Sequence, residues 1–184
     1  MAIIRWPIVV NIYGGPGSGK STFAAELFAK LKKEGINCEL ITEFAKDITW
    51  EHNTKALTTQ AYVFGNQYYR MARVADEVDV IITDSPLLQS LIHDKDKRTQ
   101  NALGESMLVP LVEAADKSFI NVNVFMEQSC EYCEIGRNES AEEALMLSEQ
   151  IRDMLDSRKM NYFECKDETT RTDILDTITR IVTF

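Results

Sequence analysis

The sequence predicts an α/β fold: a parallel sheet covered on both faces by helices, with a phosphate-binding loop after its first strand. Three observations predict it. Residues 14–22 read Gly14-Gly15-Pro16-Gly17-Ser18-Gly19-Lys20-Ser21-Thr22, which fills every position of GxxxxGK[ST]. An apolar run, Ile8 to Tyr13, precedes the loop and an amphipathic segment, Phe23 to Lys33, follows it. That is the strand–loop–helix setting the pattern needs. Strand-like and helix-like segments then alternate to the end of the chain, as a parallel sheet requires.

The elements follow in order. The first helix should end near Lys32-Lys33-Glu34-Gly35, where basic residues precede a glycine. Asn37 to Thr42 reads as a short strand and Phe44 to Trp50 as a helix. Leu57 to Val78 reads as one long helix on the spacing of Ala61, Val63, Phe64, Met71 and Val74. Val78 to Thr83 is apolar enough for a buried parallel strand ending at Asp84. Leu87 to His93 and Met107 to Ala115 read as helical pieces, the second with Pro110 in its first turn or at a kink. Phe119 to Met126 is a strand. Ala141 to Leu155 is a helix with Ser140 as N-cap. Tyr162 to Cys165 is a short strand and Asp173 to Ile181 a last helix. No repeat, linker or low-complexity segment interrupts the series, so residues 1–184 are expected to form one domain.

Composition narrows the function classes. At 184 residues and 45% hydrophobic content the chain can bury a real core. It has no apolar run of about eighteen residues, so no membrane span is expected. The short apolar stretch after Arg5 and Trp6 runs into the loop, so no signal peptide is expected. Four thinly spread cysteines, Cys38, Cys130, Cys133 and Cys165, fit a reducing cytoplasm. Cys130 and Cys133 form a lone C-x-x-C without a second pair, and His52 and His93 are isolated; zinc is not expected. A net charge of −9 argues against a general nucleic-acid binder. It leaves room for a local basic groove. Two small clusters qualify, Tyr69-Arg70 with Arg73, and Lys95, Lys97 and Arg98; both also fit solvated helix faces.

The chemistry is expected at the carboxyl ends of the strands, where parallel sheets bind ligands. Gly15, Pro16, Gly17, Ser18, Gly19, Lys20, Ser21 and Thr22 should bind the nucleotide, their backbone N–H groups (Pro16 excepted) turned around phosphate at a helix N-terminus. Lys20 should reach the β- and γ-phosphates and Ser21 should ligate Mg²⁺. The second strand ends in Glu43 and the third in Asp84. One acid there can hold the Mg²⁺ shell and one can accept the proton of an attacking hydroxyl. Helix capping is the other reading for both, with Pro86 just inside the helix after Asp84. Arg137 follows Gly136 between the fourth strand and a helix. It is read as a lid cation closing over phosphates, or as a surface arginine.

This order of motifs resembles the P-loop nucleoside and nucleotide kinases, and within them the ribosylnicotinamide-kinase-like branch and small bacteriophage-type kinases. The residues that carry the resemblance are Gly14 to Thr22, Thr42 to Asp47, Gln60 to Gln67, Thr83-Asp84-Ser85-Pro86 and Gly136-Arg137-Asn138. It implies a three-layer P-loop NTPase fold with five parallel strands in the order 2-3-1-4-5 and an arginine-bearing lid loop at about 127–138. It implies ATP and Mg²⁺ as cofactors, and a host-cytoplasm location if the chain is phage-encoded. It also implies an acceptor pocket between the second-strand region and the long helix. Glu43, Phe44, Trp50, Tyr62, Phe64, Gln67 and Tyr68 would line it, with Arg70 beside them. Rings there can stack on a base and Gln67 can read its edge; core packing is the alternative, and Tyr62 and Phe64 cannot share one helix face. Asp-Ser-Pro after the third strand departs from the D-R-Y or E-R-S of nucleoside monophosphate kinases.

Two acceptors stay open: a small nucleoside-like molecule, and a hydroxymethylated pyrimidine base such as 5-hydroxymethyluracil in DNA, which would have to leave its stack to enter the pocket. A P-loop ATPase or GTPase switch without acceptor is the alternative of a different class. No N-K-x-D-like guanine signature follows the fourth strand.

Overall fold

The computed structural model describes residues 7–92, 107–128 and 140–183. Five strands form one sheet: β1 (Ile8–Tyr13), β2 (Cys38–Ile41), β3 (Val80–Thr83), β4 (Ile120–Met126) and β5 (Phe163–Cys165). All neighbours are parallel and the order is β2-β3-β1-β4-β5. The order implied by the resemblance is the order observed.

The strands are apolar on both sides because both sides are covered. Along β1, Val9 and Tyr13 point to one face, where they pack with Phe64, Met71, Phe125, Ile151 and Leu155. Val10 and Ile12 point to the other, packing with Phe23, Leu27, Leu31, Ile174 and Ile178. The first face is covered by α4 (Gln60–Ala72), α5 (Val109–Asp116) and α6 (Ala141–Ser157), and the second by α1 (Lys20–Lys33) and α7 (Glu168–Val182). Two short helices, α2 (Phe44–Trp50) and α3 (Thr54–Leu57), lead into α4, and a 3-10 turn spans Leu87–Leu91.

Most helix ends follow the chemistry read from the sequence. The last turn of α1 holds Lys30, Lys32 and Lys33, and Gly35 follows with φ 77°. Pro110 lies in the first turn of α5, where its missing N–H costs nothing. Ser140 caps α6 in a reciprocal box with Glu143.

The long helix expected from Leu57 to Val78 is corrected. It is broken at Thr58-Thr59, whose hydroxyls fold back onto the Lys55 carbonyl. At its other end the chain leaves α4 after Ala72 through tight turns, with Val74 and Ala75 N–H donating three residues back. The last helix begins five residues earlier than expected because Asp167 caps it, accepting from the Thr170 N–H. The helix expected from Leu87 to His93 is a 3-10 turn, and His93 lies outside the described residues. Cys38 and Cys165 are buried free thiols, while Cys130 and Cys133 lie outside the described residues.

Candidate active site

The P-loop is built by close packing around glycine. Gly14 has φ 142°, and a Cβ there would lie 2.6 Å from Ser18 Oγ and 2.7 Å from the Met126 carbonyl. A Cβ on Gly15 would meet the Ala144 carbonyl at 2.6 Å, so α6 packs directly on the loop. Only residues without a side chain fit at these two places. Helix α1 then starts with no side-chain cap and no acid in its first turn, leaving its N–H groups open toward the loop.

Two side chains show how the loop is poised. Lys20 Nζ donates to the carbonyls of Gly14 and Gly15, both at 2.8 Å. These two carbonyls are neutral acceptors, which a phosphate anion would out-compete for the ammonium. Ser21 Oγ donates to Asp84 Oδ2 at 2.5 Å. That contact exists because β1 and β3 are direct neighbours, with Asn11 opposite Thr83, so the loop after one strand meets the acid after the other. Asp84 is 6% exposed, and its other oxygen, Oδ1, is buried without a hydrogen-bond partner among the described residues. An orphaned carboxylate oxygen is costly unless something binds there. The donor set is a hydroxyl and a carboxylate, hard oxygens of the kind Mg²⁺ takes, so these residues fit the ion.

Glu43 stands one strand further out. It occupies the N-cap position of α2 but makes no side-chain capping bond, so capping is not what its carboxylate does. A buried relay ties this turn to Asp84. The Phe44 N–H donates to Gln67 Oε1 at 2.9 Å, Gln67 Nε2 donates to Thr83 Oγ1 at 3.4 Å, and Thr83 Oγ1 also accepts the Ser85 N–H at 3.1 Å. Gln67 is 2% exposed. Its amide thus bridges the Glu43-Phe44 turn and the Thr83-Ser85 turn. The sequence signal was a lone glutamine on the apolar stripe of α4.

The other expected acceptor contacts divide between two faces of α4. Phe64 lies in the core at 3% exposure and stacks on Tyr68, with centroids 6.0 Å apart. It shares the buried stripe with Gln67 and Met71, three and seven residues on. Phe44, Tyr62 and Arg70 gather on the outer side. Phe44 and Tyr62 meet edge-on at 5.6 Å, and the Arg70 guanidinium lies 4.9 Å from the Phe44 ring centre while pairing with Asp47. Trp50 stands exposed on α2. Lys95, Lys97, Arg98 and Arg137 lie outside the described residues.

Two arginines that sequence reasoning did not single out flank the loop. Arg171 on α7 donates to Glu26 at 2.8 Å and lies over the Phe23 ring beside Gly19. Arg152 on α6 covers the Phe125 ring at 4.4 Å and joins Glu127 to Glu164. Hydrogen bonds from Lys166 and Arg152 hold the Glu164 carboxyl below its usual range. This cluster anchors the end of β4, two residues before the described residues stop.

An AAA domain family profile matches residues 9–171, from β1 through the first turn of α7. The chain belongs to this AAA domain family. Its fold is similar to that in the crystal structure of NadR protein in complex with NR, at a TM-score of 0.73 and 15% identity. That likeness covers 97% of this chain and 52% of the other, so the chain spans about half the length of that relative. The P-loop NTPase fold implied by the sequence is borne out: the AAA domain match spans the loop, and the structural likeness covers nearly the whole chain. No curated protein matches the sequence. Among the described residues, no helix of this AAA domain chain is long and apolar enough to cross a membrane.

Proposed function

We propose that the chain is an ATP- and Mg²⁺-dependent kinase that transfers the γ-phosphate to a hydroxyl of a nucleoside- or nucleotide-like acceptor. The observation that carries this reading is the Ser21–Asp84 contact with Asp84 Oδ1 left open beside an intact P-loop. A second acid, Glu43, stands at the next strand end and is tied to Asp84 through Gln67.

In this mechanism the backbone of Gly15, Gly17, Ser18 and Gly19 cradles the triphosphate. Lys20 leaves the loop carbonyls for the phosphate oxygens. Ser21 holds Mg²⁺, which when bound neutralises charge on the phosphates. One of the two acids, Asp84 or Glu43, accepts the proton of the acceptor hydroxyl while the other holds the Mg²⁺ shell, as the oxygen–phosphorus bond forms and the bond to the β–γ bridging oxygen breaks, releasing ADP. Arg137, from its place between β4 and α6, would supply a cation to the moving phosphoryl group.

Both acceptors fit this chemistry, a free nucleoside-like hydroxyl or the hydroxymethyl group of 5-hydroxymethyluracil in DNA. The AAA domain match favours a second reading, ATP turnover without an acceptor. The test is transfer of label from γ-labelled ATP across nucleosides, nucleotides and modified DNA, with Lys20→Ala beside the wild type. Lys20→Ala should abolish transfer; wild-type turnover in that variant would overturn the phosphate-site assignment.

A further inference from the structure

A groove of about 430 Å³ runs along the open edge of the sheet, between β2 and α4. Its volume lies in the range of small-molecule sites. Thr42 and Phe44 form its upper end, on either side of Glu43, and Asn66, Tyr69, Arg70 and Arg73 form its wall. The groove therefore opens beside the proposed acceptor acid, on the face of α4 away from the core.

Its chemistry is the reverse of the chain's. The protein carries a net charge of −9, yet this concavity holds two guanidiniums and, among its lining residues, no carboxylate. Arg70 is fixed in place: one nitrogen donates to the Thr42 carbonyl at 3.4 Å, another pairs with Asp47, and the plane covers Phe44. Arg73, one turn on, is exposed with no ion pair among the described residues. Tyr69 is 65% exposed at the lip. Paired guanidiniums recognise phosphate oxygens, and an exposed ring offers a stacking face to a base.

We propose that this groove binds the phosphate and base of a nucleotide, so that the acceptor is a phosphate-bearing nucleotide and not a neutral nucleoside. The assignment rests on the kinase reading only in naming that nucleotide the acceptor. The phosphate is either that of a mononucleotide or a phosphodiester of a DNA strand.

The probe is a fluorescein-labelled oligothymidylate, followed by anisotropy, with thymidine monophosphate and thymidine as competitors. The wild type should bind it, thymidine monophosphate should compete, and thymidine should not. Competition by the monophosphate at matching affinity identifies a mononucleotide site; much weaker competition identifies a strand site. Arg73→Glu and Tyr69→Ala should each weaken binding roughly tenfold. Arg73→Ala should reduce the salt slope by about 0.7, one single-strand phosphate contact. Arg180→Glu makes the same charge change on α7, across the sheet, and should leave binding unchanged. The assignment is overturned if the wild type binds no probe, if thymidine competes as well as its monophosphate, or if Arg73→Glu and Arg180→Glu weaken binding equally. Probe binding lost in Arg73→Glu without label transfer to any acceptor would retain the groove and sink the kinase. Transfer to thymidine at a KM untouched by Arg73→Glu would do the opposite.

Discussion

In the proposed mechanism Asp84 is the side chain most involved, because one of its oxygens is committed to Ser21 and the other has no hydrogen-bond partner among the described residues. Asp84→Asn keeps the shape and removes both basicity and charge. It should lower kcat by more than it lowers ATP affinity, measured as separate kcat and KM values; a variant with full kcat would remove Asp84 from the chemistry. Glu43→Gln belongs beside it, since the larger kcat loss marks the base. A different buried acid affects stability. Asp116, at the end of α5, is 8% exposed near Tyr13, Arg158, Lys117 and Glu113, and burial raises its carboxyl from 3.8 to about 6. The folded state therefore holds this proton more tightly than the unfolded state. Its stability should fall as pH rises from about 4 to about 6, and the burial cost of the charge is complete above that window. Asp116→Asn should flatten that slope and be more stable than wild type at neutral pH, as denaturant midpoints across the window would show. An unchanged slope would place the titration elsewhere.

Helix α6 is the element that links stability to the site, since its first turns press on Gly15 of the P-loop. The Ser140–Glu143 box holds that end, through Glu143 N–H to Ser140 Oγ at 3.2 Å and the return bond at 2.9 Å. Ser140→Ala should cost about 1 kcal/mol of stability. It should also raise the ATP KM, because the frayed turn is the one that braces the loop; thermal melting with ATP titration reads both. The cap was legible in the sequence because a serine stood just before a periodic apolar run. Strands β1, β3 and β4 were legible for a related reason, as apolar runs too short for helices. The break in α4 was not, because Thr58 and Thr59 interrupt it by bonding backward, which periodicity does not register. The bridge that Gln67 makes was not legible for a tertiary reason: its partners, Phe44 and Thr83, are distant in sequence and meet only when β2 and β3 pair.

At the scale of the molecule, one sheet order explains why distant motifs converge. Placing β1 between β3 and β4 sets the P-loop against Asp84 on one side and the root of the 127–138 segment on the other. Glu43 follows on the next strand out. The motifs were visible in the sequence, but their convergence needed the fold implied by the resemblance. If Arg137 supplies a cation to the transferring group, Arg137→Ala should slow transfer by roughly 10²-fold with little change in melting temperature. Arg137→Lys should recover only part of the rate, having charge without the planar fork. Wild-type kinetics in the alanine variant would reduce it to a surface residue. The central claim is that these groups pass a phosphoryl group to an acceptor hydroxyl. Its most direct test follows ADP release and the fate of the label from γ-labelled ATP, with and without nucleoside, nucleotide and hydroxymethylated DNA. The account predicts that ADP release rises with one acceptor and that the label appears on that acceptor's hydroxyl. Equal ADP release with every acceptor and with none, all label ending as inorganic phosphate, would contradict it.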